Sequence, residues 1–130
     1  MINGDIEKFF DNWWRSEAAL FYMGHIYWCE AWFEGKNNTY TFFVNKWRTE
    51  NEDNIEFHSY AEKNGLIKYE RIFEIKDTDL KLIKKNFLMT SIFKGKSFWQ
   101  VERVVAWLDE GPNIIIDLKI LIPGRLRHVI

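Results

Sequence analysis

From His25 onward the chain alternates with a period of two and is apolar on both sides: Tyr27, Cys29, Ala31 and Phe33 fall on one face, and Ile26, Trp28, Glu30 and Trp32 on the other. Such alternation predicts a β-strand. A strand of this kind cannot present one wet face, so its sheet must be covered on both sides, by a helix or by a partner. Gly35-Lys36-Asn37-Asn38 supplies turn residues, and Tyr40 to Arg48 resumes an aromatic, β-branched run. The pair predicts a hairpin with a loop of about four residues.

Before the hairpin, Ile6, Phe9, Phe10, Trp13 and Trp14 recur at helical spacing, with Asp5, Glu7, Lys8, Asp11 and Asn12 between them. An amphipathic helix follows, with Asn3 or Asp5 as its cap, and Ala18 to Met23 can extend it as far as a stop at Gly24. Beyond the hairpin, Ile55, Phe57, Ser59 and Ala61 share one face of a strand, with Glu56, His58, Tyr60 and Glu62 opposite. After a Lys63-Asn64-Gly65 turn, Ile67, Tyr69, Phe73 and Ile75 share a face of the next strand, with Lys68, Glu70 and Glu74 on its wet side.

Asp77 or Thr78 can cap a helix through Leu80, Ile83, Lys84, Phe87 and Leu88. Ser97 with Gln100 forms a capping box that opens a second helix, whose stripe is Phe98, Val101, Val104, Val105 and Leu108 and whose stop is Gly111-Pro112. Asn113 to Ile122 reads as a last strand, closed by Pro123-Gly124 and followed by a short basic tail from Arg125 to Ile130. The predicted fold is α+β: an N-terminal helix, a four-stranded antiparallel meander, then two helices and a final strand completing one sheet. At 130 residues, without a linker-like stretch or internal repeat, residues 1–130 are expected to form a single domain.

Charge and aromatics are unevenly spread. Sixteen of the 23 aromatic side chains lie in residues 1–60, and residues 1–62 carry 11 Asp/Glu against 5 Lys/Arg. Residues 63–103 reverse the balance, with 10 basic against 5 acidic. A net charge of −1 lacks the electrostatic footprint of a nucleic-acid binder, whereas the acidic first half suits a basic partner. A single cysteine, Cys29, excludes an intrachain disulfide and fits a reducing compartment, with cytoplasm as the expectation. Met1 to Asp5 shows no basic segment leading into an apolar one, so neither export nor membrane insertion is expected.

Several groups invite a chemical reading and each has a plainer one. Cys29 with His25, His58 or His128 suggests thiol chemistry, but Cys29 shares its face with Tyr27 and Phe33, where a free cysteine acts as a small hydrophobe. His25 and Cys29 are too far apart along a strand to share an ion easily, and Glu50 to Asn54 lacks the spacing and glycine of a calcium loop, so no metal or cofactor is expected. Glu30 and Glu34 beside Trp28 and Trp32 resemble a glycosidase pair, and equally the rim of a sheet. Lys81, Lys84 and Lys85, with Lys94 and Lys96 nearby, suggest a phosphate contact, but without a phosphate or nucleic-acid motif they read more plainly as the solvated face of a helix. The run Glu50, Glu52, Asp53 and Glu56, with no interposed base, reads either as a solvated loop or as an anionic loop that enters a partner's basic groove.

The segment Phe93 to Glu102 (FKGKSFWQVE), leading into Val104 to Asp109, resembles segments of small bacterial immunity proteins, including those of contact-dependent growth inhibition systems. The resemblance implies a non-catalytic module that binds a cognate toxin domain, often a nuclease, in the cytoplasm of the cell that makes it. Partner binding is then expected at Glu50, Glu52, Asp53 and Glu56 for charge, with Trp28, Trp32 and Trp47 as anchors. The chain is expected to be a monomer or weak homodimer, not to bind nucleic acid directly, and not to be an enzyme. The alternative is a small-ligand-binding or hydrolytic α+β domain, with Trp28, Trp32 and Trp47 lining an aromatic pocket.

Overall fold

The computed structural model describes residues 1–15, 17–48 and 68–108. Asp5 caps the first helix: its Oδ1 accepts from the backbone N–H groups of Glu7 at 2.8 Å and Lys8 at 3.3 Å, two of the donors that a helix start leaves open. Helix α1 then runs Ile6–Arg15 and buries Phe9, Phe10 and Trp13. Glu7 in its first turn and Arg15 in its last suit the helix dipole.

Ala18–Tyr22 is strand β1, not an extension of α1. Ala and Leu favour helix in isolation, but all five residues are buried, and a central strand buries both sides where a surface helix buries one. Met23 and Gly24, at φ 50° and 85°, turn the chain through the left-handed region, and Tyr22 pairs with His25 across them. A two-residue turn with both φ values positive matches the twist of paired strands, so Gly24 serves a hairpin where the sequence suggests a helix stop.

Strands β2 (His25–Glu34) and β3 (Thr39–Arg48) form the expected hairpin, with Glu34 opposite Thr39 and Gly35 to Asn38 as the loop. Strand β4 (Lys68–Asp77) lies directly beside β3, from Tyr40 opposite Asp77 to Arg48 opposite Lys68. The strands expected at 55–62 and 113–122 lie outside the described residues. The sheet order is β4-β3-β2-β1-β5, so β1 to β4 make the antiparallel meander and β5 (Ala106–Leu108) adds to the free edge of β1. This is the α+β layout with an N-terminal helix, an antiparallel sheet and further helices.

One irregularity reorganises a face. Val44 pairs with Phe73 but the next residue, Asn45, pairs with Arg71, so Ile72 is an extra residue in β4. A bulge of one residue reverses the alternation beyond it. Tyr69 and Phe73, which simple alternation assigns to one face, therefore stand on opposite faces: Phe73 meets Phe87 at 5.9 Å, and Tyr69 meets Trp47 at 6.2 Å.

Helix α2 (Leu80–Met89) is capped by Asp79, whose Oδ1 accepts from Lys81 N–H at 2.9 Å. The cap thus falls just beyond the expected Asp77 or Thr78, and Asp77 instead accepts from the Asp79 N–H at 2.8 Å. The capping box forms at Ser97, whose N–H donates to Gln100 Oε1 at 2.9 Å, but helix α3 is a single turn, Phe98–Val101. Phe98, Val101, Val105 and Leu108 are buried as a continuous helix would bury them, yet Val104 is exposed and the chain becomes β5 instead. The strand gains a backbone partner that a helix there lacks. Ile2 closes its outer side, donating to Val105 O at 2.8 Å and accepting from Trp107 N–H at 3.0 Å.

The main core lies between the sheet and helices α1, α2 and α3. Phe9, Phe10 and Trp13 from α1 meet Ile83 and Phe87 from α2, Phe98 and Val101 from α3, and Leu20, Tyr27, Cys29, Phe42, Val44 and Phe73 from the sheet. Trp13 also donates its indole N–H to the Glu30 carbonyl at 2.9 Å, which fixes α1 to β2.

Candidate functional site

The face of the sheet opposite α1, α2 and α3 carries a second set of aromatic residues. Strand pairing sets Trp28 opposite Asn45, Glu30 opposite Phe43 and Trp32 opposite Thr41. Trp28, Trp32 and Trp47 therefore share this face. Trp28 and Trp47 stack at 5.4 Å and 27°, Trp47 meets Tyr69 edge-on at 6.2 Å, and Trp32 meets Phe43 at 5.3 Å and 62°. These are separations at which aromatic pairs attract beyond their area burial.

Polar groups tie the two aromatic clusters together. The Arg71 guanidinium lies 3.8 Å over the Phe43 ring and donates from Nε to Asn45 Oδ1 at 2.7 Å, while its Nη1 pairs with Glu74. Trp28 donates its indole N–H to Glu30 Oε1 at 2.9 Å. Arg71 reaches this face only because of the bulge at Ile72. Sequence alternation alone groups Arg71 with Phe73, so Arg71 carries no signal that a period-two reading can detect, whereas Phe43 alternates onto the Trp47 face of β3.

Exposure rises along the face. Ala19, Phe21 and Ile26 are buried near β1, Trp47 is 3% exposed, Trp28 is half-buried, and Trp32 is 48% exposed. Trp32 is thus the residue of the three that offers a large apolar surface, whereas Trp47 backs Trp28 and Tyr69 from within. The four acidic candidates, Glu50, Glu52, Asp53 and Glu56, lie outside the described residues. They follow Arg48 closely in sequence.

The other candidates are dispersed. Cys29 is fully buried on the helix face, and burial, with the neighbouring Glu30 charge adding, pushes its thiol well above the ordinary range. A thiol held protonated is a poor nucleophile. His25 is buried beside Tyr22, and His58 and His128 lie outside the described residues. Glu30 and Glu34 sit four residues apart on one strand, about 13 Å along its axis, and each is engaged separately, Glu30 by Trp28 and Glu34 by the Asn37 amide at 3.1 Å. Glycosidase pairs lie within about 5–9.5 Å, so these two do not form one.

Among the described residues no three His, Cys, Asp or Glu side chains gather as metal ligands, and no helix is long and apolar enough to cross a membrane. Lys84 pairs with Glu7 at 3.0 Å, while Lys81, Lys85, Lys94 and Lys96 are exposed on α2 and the following turn. A cleft does open on the helix side, between α1 and α2, and Trp28, Trp32 and Trp47 take no part in its lining. Comparison with known proteins finds no matching family model, no similar curated protein and no similar solved structure.

Proposed function

We propose that the chain is a non-catalytic protein-binding module, and within that class an immunity protein that binds and blocks a cognate toxin domain, of nuclease type, in the cytoplasm of the cell that makes it. The observation that carries the binding reading is the exposed end of the sheet face opposite α1, α2 and α3, where Trp32 stands 48% exposed on Phe43 and Arg71 is stacked on the same ring. Trp and Arg are the residue types that dominate binding energy at interfaces, above all when a rigid scaffold holds them. The toxin-directed part rests on the resemblance of Phe93 to Glu102 to immunity proteins and on the acidic excess of residues 1–62. An acidic partner for a nuclease competes with phosphate for the same basic groove and gains steered, fast association.

The test is growth rescue. The chain is co-expressed with the toxin domain encoded by the adjacent reading frame, as wild type and as the Trp32→Ala/Arg71→Glu double variant. Rescue by the wild type and an affinity loss of about 30-fold or more in the variant are expected, the latter from a hot-spot truncation of ~2 kcal/mol. Rescue by the variant at wild-type affinity removes the sheet face from the interface. Failure of the wild type to rescue removes the immunity reading itself.

A further inference from the structure

The cleft between α1 and α2 lies on the far side of the sheet from the aromatic strip. It is lined by Phe10, Trp14, Phe42 and Ile83 on its apolar side and by Glu7, Asp11 and Lys84 at its rim, with a volume of about 250 Å³. That is below the range of about 300–1,000 Å³ typical of drug-sized ligands, so the space suits one side chain or a small molecule. Trp14 forms a rigid wall, packed edge-on against Tyr40 at 4.6 Å and stacked on Phe42 at 6.3 Å.

The protein already sets a cation in this cleft. The Lys84 ammonium lies 3.0 Å from Glu7 Oε2 and 5.5 Å from the centre of the Phe10 ring. Carboxylate on one side and aromatic face on the other are the two interactions by which a protein recognises an organic cation. Asp11, on the next turn of α1, adds a second carboxylate, shared at 3.4 Å with the highly exposed Arg15. Lys84 holds its place through an exposed ion pair, which contributes little net stability, and its flexible stem can swing to solvent.

We propose that this cleft binds a small organic cation, a guanidinium or alkylammonium group on an apolar stem, and that Lys84 is the internal competitor a ligand displaces. The cation sits between Glu7, Asp11 and the Phe10 ring, and its stem lies against Trp14 and Phe42. This site is separate from the sheet face, so loss of either leaves the other intact.

Two probes separate a free amine from a side chain: agmatine, and the blocked tripeptide acetyl-Gly-Arg-Gly-amide. The matching citrulline tripeptide, which keeps the shape and lacks the charge, is the control. Binding is read from the Trp14 indole N–H resonance of the whole chain, in the wild type and in Lys84→Met and Glu7→Gln/Asp11→Asn variants. All three substitutions fall on substantially exposed side chains, 39%, 72% and 64%, so the fold is retained. At least one cation is expected to shift Trp14, with Lys84→Met tightening binding about fivefold, the equivalent of an exposed ion pair. The carboxylate variant is expected to weaken it about tenfold or more. A response to the tripeptide alone assigns the site to a basic side chain of a partner, and a response to agmatine alone assigns it to a free amine. No shift with either cation even in Lys84→Met, equal binding of the citrulline peptide, or wild-type affinity in Glu7→Gln/Asp11→Asn each overturns the proposal.

Discussion

Replacing Phe87 with Ala tests whether the helix-side core is organised around one ring. Phe87 is fully buried, and its ring centre lies 4.8 Å from Trp13, 5.5 Å from Phe10, 5.9 Å from Phe73 and 6.2 Å from each of Phe9, Phe93 and Phe98. Those neighbours come from α1, β4, the α2–α3 connection and α3, so no single movement collapses the space left behind. Phe to Ala in a core costs about 3–5 kcal/mol, the upper end applying where the site cannot relax. The two closest pairs, both edge-to-face and worth ~0.5–1.5 kcal/mol each, are contained in that cost and place it at the upper end of the range. A total near ~5 kcal/mol is expected, against a whole-domain stability of about 5–15 kcal/mol. In urea this corresponds to a midpoint lowered by roughly 2–3 M at an m-value of about 2 kcal/mol/M. Phe87→Leu keeps most of the volume and is expected to cost ~1–2 kcal/mol. A loss below about 2 kcal/mol for Phe87→Ala, or equal losses for Ala and Leu, refutes a core that depends on this ring.

Two further outcomes follow from close packing and burial. Gly4 lies so near Trp107 that an added Cβ meets its ring at 2.3 Å; Gly4→Ala is expected to destabilise by about 1–3 kcal/mol in urea unfolding, relieved when combined with Trp107→Leu. Because burial raises the Cys29 thiol pKa above its unfolded value, its contribution to stability is complete below the unfolded pKa of about 8.5 and declines as pH rises above it, by up to ~1.4 kcal/mol per pH unit until the folded pKa is reached. The stability difference between wild type and Cys29→Ala, measured by urea unfolding between about pH 8 and pH 10, isolates that slope from the other titrating groups; a difference that does not change with pH contradicts it.

Much of the fold is legible because its periods are clean. Phe9, Phe10 and Trp13 declare one buried helical face, and Gly35 to Asn38 marks the β2–β3 turn where the chain makes it. The need for a second covered face on β2 is also readable, since Trp28 and Trp32 oppose Tyr27 and Phe33. Ala18 to Tyr22 is harder: its composition is helical and apolar, and only its central place in the sheet makes a strand the better solution. The end of α3 fails for a related reason, because Phe98, Val101, Val105 and Leu108 are buried by a helix or by a turn and a strand alike. Of the site, the shared face of Trp28, Trp32 and Trp47 follows from register. The position of Arg71 over Phe43 does not, because a single extra residue at Ile72 has no compositional mark.

The place of β1 bears on the order in which the chain can assemble. Its inner edge pairs with β2 across a two-residue turn, an early and local event, but its outer edge pairs with Ala106–Leu108, most of the chain later. During synthesis Ala18 to Tyr22, a stretch without charge, proline or glycine, is completed long before that partner exists. Uncharged apolar edges of this kind are templates for pairing between chains. The short strand β5 thus acts as a late seal, and crowding of nascent chains is the condition under which this protein is most exposed to misassembly.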